Sequence, residues 1–288
     1  MKVWIDGRIV EGSEARVPVT DHGFLYGDGI FEGLRVYHRR VFRLDDHLAR
    51  LAVAARCIGL ELPGGTPALR EIVLATARAH GADEAYLRLV VSRGEGALGV
   101  DPTTCPTPRV VCIADDVRIY PPEKLREGIA LVTASVRRPA PDVLDPRVKS
   151  LNYLNNALAK LEARRQGADE ALILNAAGQV AEASVANVFA VRGGRLLTPP
   201  PSDGALEGIT RATVLELAAR EGIPAGERTL GRFDLLAAEE VFLTGTGARI
   251  VPVGRLDGQK IGHGGAGPVT KQLDDAFAGF VKQAGVPL

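Results

Sequence analysis

Lysine is scarce in this chain: Lys2, Lys124, Lys149, Lys160, Lys260, Lys271 and Lys282 are the only lysines among 35 basic residues. Arginine carries the rest of the positive charge and stays protonated, so any amine chemistry falls on those few positions. An excess of either charge is also missing. The 35 basic residues balance 35 acidic ones, which removes a broad attraction to nucleic acid or anionic membrane. No run approaches the ~20 apolar residues of a membrane span. The opening MKVWIDGRIV has no long apolar core and reads as a strand entering the fold, not as a signal peptide. The three cysteines, Cys57, Cys105 and Cys112, are odd in number and lack metal-ligand spacing. They read as reduced thiols in a cytoplasmic protein, with no metal site expected.

What is present is ordinary globular material. The 288 residues are 46% hydrophobic and 24% charged, enough for a large core and for two domains. MKVWIDGRIV and ARVPV read as strands, and GDGIFEGLRVYHRRVFRL as two strands around a turn at His38 to Arg40. DHLARLAVAARCIGL has helical spacing, with Leu48, Leu51, Ala55 and Ile58 on one face and Asp45 or Asp46 as cap. TPALREIVLATARAHG is a second helix, followed by the strands EAYLRLVVSR and TPRVVCIADD. YPPEKLREG, with two prolines and little apolar content, reads as a linker. The remainder alternates strands and helices, giving an α+β chain with a small domain over 1–118, a linker over 119–127 and a larger domain over 128–288.

Several local patterns carry chemistry. GEGALG (Gly94 to Gly99) matches a dinucleotide-binding spacing, but Pro102 lies just downstream, where that motif requires a helix; a loop is expected. Gly208, Ile209 and Thr210 open a helix, whose free N–H groups suit an anion such as phosphate. Gly245, Thr246 and Gly247 lie between two apolar strands, where small residues let backbone amides approach an anion; Arg50 is a further phosphate candidate. Glu182 sits among Ala and Val, a costly place for a carboxylate unless it is paired. Lys149 precedes the helix through Leu154, Leu158 and Leu161, capped by Ser150 or Asn152. At the positive end of that helix, and if buried, its charged form would be disfavoured. Tyr153, four residues on, would present its hydroxyl to the same place.

Taken together, these stretches resemble one family. DHGFLYGDGIFEGLRVY, HLARL, AYLRLVVSRGEGALGVDP, VKSLNYLNNALAKLEARRQG, EALILNAAGQVAEASVANVF, LEGITR, VFLTGTGA and GPVTK resemble the branched-chain amino-acid aminotransferases, in fold type IV of the pyridoxal-phosphate (PLP) enzymes. The resemblance implies a D-amino-acid-aminotransferase-like fold, with a small α+β domain and a larger mixed α/β-barrel-like domain. It implies PLP held by Lys149 as a Schiff base, with Tyr153 on the phenolic oxygen and Glu182 on the pyridine nitrogen. Arg50, Ile209, Thr210 and Thr246 match the phosphate cup, and Leu206 the residue packed on the ring. Tyr26, Phe31, Arg35, Tyr86, Arg88, Gly247 and Ala248 fall where the family builds its substrate pocket. The implied reaction moves an amino group between leucine, isoleucine or valine and 2-oxoglutarate by a ping-pong course, in a homodimer or higher homo-oligomer. D-amino-acid or (R)-amine transaminases and aminodeoxychorismate lyase share the fold and are the alternatives. Two departures bear on substrate range. Arg249 stands where relatives carry Glu, and is expected to point to solvent; Ala183 follows Glu182 where many relatives carry Gly.

Overall fold

The computed structural model describes residues 1–117 and 120–288. In chain order the first elements are β1 (Lys2–Ile5), β2 (Arg8–Glu11), α1 (His22–Tyr26), β3 (Gly29–Tyr37), β4 (Arg40–Val41), α2 (Leu44–Cys57), α3 (Gly65–His80), β5 (Ala85–Ser92) and β6 (Arg109–Asp115). Then come α4 (Pro122–Glu127), β7 (Ile129–Arg137), α5 (Pro141–Leu144), α6 (Leu154–Arg165), β8 (Glu170–Leu174), β9 (Val180–Ala183), β10 (Asn187–Arg192), β11 (Arg195–Thr198) and α7 (Ile209–Arg220). The last are β12 (Ala225–Glu227), α8 (Arg232–Leu236), β13 (Glu240–Gly245), β14 (Arg249–Leu256), β15 (Gln259–Lys260), α9 (Pro268–Phe280) and β16 (Val286–Pro287). Two compact units result. One comprises Met1–Arg118, Val148–Asn152 and Val281–Leu288; the other comprises Ile119–Arg147 and Tyr153–Phe280. The expected end of the small domain at 118 and start of the linker at 119 lie outside the described residues.

The first unit is built on a sheet of order β16-β4-β3-β5-β6-β1-β2. β3 is buried along its whole length. Its even positions Ile30, Leu34 and Val36 join Leu87 and Leu89 of β5 in a core closed by Leu48 and Leu51 of α2 and Leu69 and Val73 of α3. Burying side chains of this size supplies about 1.5–3 kcal/mol each. The β3–β4 turn places His38 and Arg39 at φ 47° and 58°, the left-handed pair that a two-residue hairpin needs. Two local expectations fail. Asp45 and Asp46 lie inside the first turn of α2, and the N-cap is Arg43, with no side-chain cap bond; the acids instead favour the positive helix end. ARVPV forms no strand, since Val17 and Val19 are exposed and Pro18 has no N–H to give a ladder. The C-terminal pair β16 docks on β4 at the sheet edge, where Pro287 is tolerated.

The second unit carries a sheet of order β12-β11-β10-β13-β14-β7-β8-β9, with β15 paired to β14. Pairings of β14 with β7, β7 with β8 and β11 with β12 are parallel; the rest are antiparallel. α6 lays Ala159 and Ala163 against Val132, Ala134 and Ile173. The expected linker YPPEKLREG contains the helix α4, with Pro122 at its first position, where a missing N–H costs nothing. Tyr120 and Leu125 pack against the core of this unit, so the segment is part of its structure. α9 starts on the buried carboxylate of Glu240, which accepts from Val269 N at 3.0 Å and from Thr270 N at 2.8 Å.

Candidate active site

Lys149 lies in the first unit, in a short extended segment added to the beginning of β3. Ser150 bridges Ile30, Phe31 N donates to the Lys149 carbonyl at 2.9 Å, and Leu151 N donates to Gly29 O at 2.9 Å. The pairing is tertiary, and it overrides the local helix signal. α6 starts only at Leu154, with Tyr153 as its N-cap. Lys149 is therefore not at the helix end, and Tyr153 is not its neighbour on a helical turn. The two expected caps are used elsewhere: Asn152 Nδ2 donates to Gly27 O at 2.9 Å, and Ser150 Oγ accepts from Asn152 N.

The half-buried Lys149 amine stands 4.5 Å above the ring of Phe31, and the Arg88 guanidinium lies 4.5 Å from the same ring. This follows from the pleat. Phe31, Gly33 and Arg35 share one face of β3, and Gly33 and Arg35 pair with Arg88 and Tyr86 of β5. Arg88 Nη2 donates to Tyr86 Oη at 2.9 Å, Arg35 Nη2 donates to Glu84 at 3.1 Å, and the Arg35 guanidinium lies 4.7 Å over Tyr37. Gly33 has no room for a side chain: a Cβ there would sit 2.4 Å from the Tyr86 hydroxyl. The unit thus collects Lys149, Phe31, Arg35, Tyr86 and Arg88 on one aromatic and cationic face. Tyr26 ends α1, with its hydroxyl accepting from Gly99 N at 2.8 Å. Gly94–Gly99 forms no helix.

On the opposite face of β3, Glu32 is fully buried and points to α2. His47 Nδ1 lies 2.7 Å from Glu32 Oε2, and Arg50 binds both oxygens, Nε at 2.8 Å and Nη2 at 2.7 Å. Burial would raise the Glu32 acid, but Arg50 and His47 outweigh it and hold the group down to about 2. A carboxyl so depressed contributes stability that is complete above its unfolded value near 4.5 and is lost as pH falls toward 2. Acid unfolding of wild type followed by circular dichroism is expected to show this loss, roughly 3 kcal/mol. Glu32→Gln is expected to lower stability at neutral pH, with the gap to wild type closing by about pH 2; a gap independent of pH would contradict the pairing.

In the second unit Glu182 lies on β9, at the end of the sheet, yet it is buried. Its Oε1 accepts from Arg138 Nη2; its Oε2 accepts from Asn187 Nδ2 at 3.0 Å and from Leu206 N at 3.1 Å. Asn187 Nδ2 also donates to Leu206 O at 2.8 Å, and its Oδ1 fills the space beside Gly208, where a Cβ would approach to 2.0 Å. Gly208 is the N-cap of α7 with no side-chain cap bond, leaving the first-turn amides at Ile209 and Thr210 without that partner. Asn187 also pairs across strands with Thr244, two residues before Thr246. Asn187 thereby ties together Glu182, Leu206, the start of α7 and the β13–β14 loop that carries Thr246, Gly247 and Ala248. Arg249 does not point to solvent: its Nη2 donates to Asp274 Oδ1 at 3.0 Å, and its guanidinium lies 5.7 Å from the Phe277 ring.

Each unit by itself carries groups that fit PLP. In the second, a carboxylate held by Arg138, Asn187 and a backbone amide suits a protonated ring nitrogen, and an uncapped helix start suits a phosphate; in the first, Lys149 supplies an amine. Sequence reasoning missed Glu32, His47, Arg138 and Asn187. Strand alternation carried a signal for two of them: Glu32 lies in register with Ile30, Leu34 and Val36, and Arg138 follows Val132, Ala134 and Val136.

Residues 29–256 match the family model for amino-transferase class IV. A Methanocaldococcus jannaschii protein with a provisional branched-chain-amino-acid aminotransferase name is 45% identical over 277 residues, covering 96% of this chain and 95% of that protein. The crystal structure of Escherichia coli branched-chain amino acid aminotransferase superposes with a TM-score of 0.93 at 35% identity, covering 97% of this chain and 94% of the other. The branched-chain amino acid aminotransferase from Thermobaculum terrenum, in its PLP form, gives a TM-score of 0.87 at 31% identity, covering 98% and 94%. With its fold and the family model in agreement over most of its length, this chain belongs to the class IV aminotransferases.

Proposed function

We propose that the chain is a PLP-dependent transaminase that moves an amino group between the branched-chain L-amino acids leucine, isoleucine and valine and 2-oxoglutarate. The carrying observation is the Lys149 amine 4.5 Å over Phe31, on a face shared with Arg35, Tyr86 and Arg88. When bound, PLP supplies an aldehyde that accepts the amino group and a ring that withdraws electrons. Lys149 would anchor that group and, as a free amine, would take up and return the proton at the substrate α-carbon. Positioned base action of this kind is typically worth 10²–10⁴-fold. Glu182 would hold the ring nitrogen and Tyr153 the phenolic oxygen, and Leu206 would pack on the ring. Ile209, Thr210 and Thr246 would take the phosphate, and Arg50 would join them while holding Glu32 through Nε and Nη2.

Phe31, Tyr26 and Tyr86 offer apolar surface to an aliphatic side chain, and Arg35 and Arg88 offer charge to carboxylates. Gly247 and Ala248 keep the pocket side of the β13–β14 loop small. The sequence-based division into a small domain over 1–118 and a larger domain over 128–288 belongs to this reading, with the joining segment packed on the larger one through Tyr120 and Leu125. So does a homodimer or higher oligomer: Leu154, Leu158 and Leu161 are exposed at helical spacing on α6, an apolar stripe suited to an interface. The free cysteines Cys57, Cys105 and Cys112 suit a reducing cytoplasm.

A panel of amino donors with 2-oxoglutarate tests the assignment. L-leucine, L-isoleucine and L-valine are expected to yield glutamate fastest. Faster turnover of D-alanine, or pyruvate release from aminodeoxychorismate, would overturn it.

A further inference from the structure

We infer that Arg138 is a positioning residue for the ring nitrogen, acting through Glu182: it keeps the proton on the ring by keeping Glu182 ionised. The inference rests on the reading that Glu182 faces that nitrogen. Arg138 is 6% exposed and Glu182 7%, so their charges meet with little water between them. A buried ion pair is costly to assemble and is a weak device for stability alone. Here the surroundings are built to hold the arginine in one place. Arg138 N donates to Leu174 O at 2.9 Å, and its Nη1 faces Asn156 Oδ1 at 3.4 Å. Gly204 leaves space for its stem, since a Cβ there would come within 2.9 Å of Arg138 Cγ.

Asn156 is itself fixed. Its Nδ2 donates to Ser184 O at 2.6 Å, and Ser184 Oγ donates to the buried carboxylate of Glu170. Lys160 Nζ closes the chain on Glu170 at 2.7 Å. Arg138 and Glu182 thus end a polar network that runs from α6 through β8 and the Ser184 turn, and Asn187 and Leu206 N add further donors to Glu182.

The chemistry follows from where one proton rests. Beside Arg138 the carboxylate stays anionic, and the ring N–H persists as its partner. Remove the guanidinium charge and the carboxylate loses the cation that favours its ionised form. In a low-dielectric site the neutral arrangement then gains, with one N–H bond broken and one O–H bond formed at Glu182. A ring without that proton withdraws electrons less well, so the rate falls.

The test uses holoenzyme carrying PLP labelled with ¹⁵N in the ring. The ¹⁵N chemical shift is compared among wild type, Arg138→Gln, Arg138→Lys and Glu182→Gln. Gln keeps a donor for Glu182 but loses the charge; Lys keeps the charge. Wild type and Arg138→Lys are expected to give the shift of a protonated ring. Arg138→Gln is expected to move toward the unprotonated value, with kcat lower by about 10–100-fold, the size typical when a group that orients a metal ligand from behind is lost, and KM changed less. A wild-type ¹⁵N shift in Arg138→Gln, with Glu182→Gln displaced, would overturn the role of Arg138 and leave that of Glu182 intact. An unmoved shift in Glu182→Gln as well would sink the pairing of Glu182 with the ring, and the inference with it. If Arg138→Gln does not fold, Arg138→Lys decides: a wild-type shift supports the role of the charge, and an unprotonated one overturns it.

Discussion

Lys149→Ala is expected to lose transamination by at least about 10²–10⁴-fold, the usual worth of a positioned base, and by more because the covalent anchor goes with it. The protein should still fold. Lys149 is half-buried, and the contacts that fix its segment are backbone bonds, Phe31 N to its carbonyl and Leu151 N to Gly29 O. Alanine keeps both. Thermal unfolding should therefore stay near wild type while the visible cofactor band disappears. Added amine should restore part of the rate, because the lost group is a base whose place a small amine can fill. Lys149→Arg separates charge from chemistry: it restores a cation near Phe31 but not a nucleophile, and should be as inactive as alanine. Activity in Lys149→Arg close to wild type would refute the role given to this amine.

Glu182→Gln has the next largest effect, expected at about 10²–10³-fold in kcat, the range for removing one electrostatic partner at a reacting centre. Gln keeps the size of the side chain and, with one oxygen left, accepts either from Arg138 or from Asn187 and Leu206 N, but not from both sides. It no longer offers an anion to the ring nitrogen. Cofactor should remain bound, since the start of α7 and the Lys149 anchor are untouched. Glu182→Ala is a harsher change: Arg138 would be left as an uncompensated buried charge, at a cost of about 3–5 kcal/mol. Turnover is measured with L-leucine and 2-oxoglutarate, and stability by denaturant titration. Unchanged kcat in Glu182→Gln would contradict the pairing of Glu182 with the ring.

What the sequence made legible, and what it did not, divides along local and long-range physics. Lys149 drew notice because lysine is rare, and Glu182 because an acid among Ala and Val is costly to bury. Both arguments need only composition and neighbours. The surroundings of each depended on distant chain. Lys149 is shaped by pairing with Gly29 to Phe31, which no periodicity around residue 149 reveals. That pairing claimed Ser150, and the Asn152 side chain went to Gly27 O, so neither capped α6. Arg138 meets Glu182 across 44 positions of sequence. Helix α2 was readable from apolar spacing, since Leu48, Leu51 and Ala55 report the face it buries; on α6 the spacing of Leu154, Leu158 and Leu161 marked the helix, yet those residues lie exposed and the buried face is Asn156, Ala159 and Ala163. ARVPV had strand-forming residues but no buried face, and alternation without burial makes no strand. YPPEKLREG looked like a linker because its two half-buried apolar groups, Tyr120 and Leu125, are too few to make a pattern. The Glu32 brace was hidden for a different reason. A lone acid in the register of a core strand is informative only once the helix bearing His47 and Arg50 is known to cover it.

The most direct test of the account is the attachment point of the cofactor. Wild-type holoenzyme is reduced with borohydride, digested and mapped by mass spectrometry. The expected product is a single modified peptide with the phosphopyridoxyl mass on Lys149. Modification at any of the other six lysines, with Lys149 recovered unmodified, would contradict the assignment on which the rest depends.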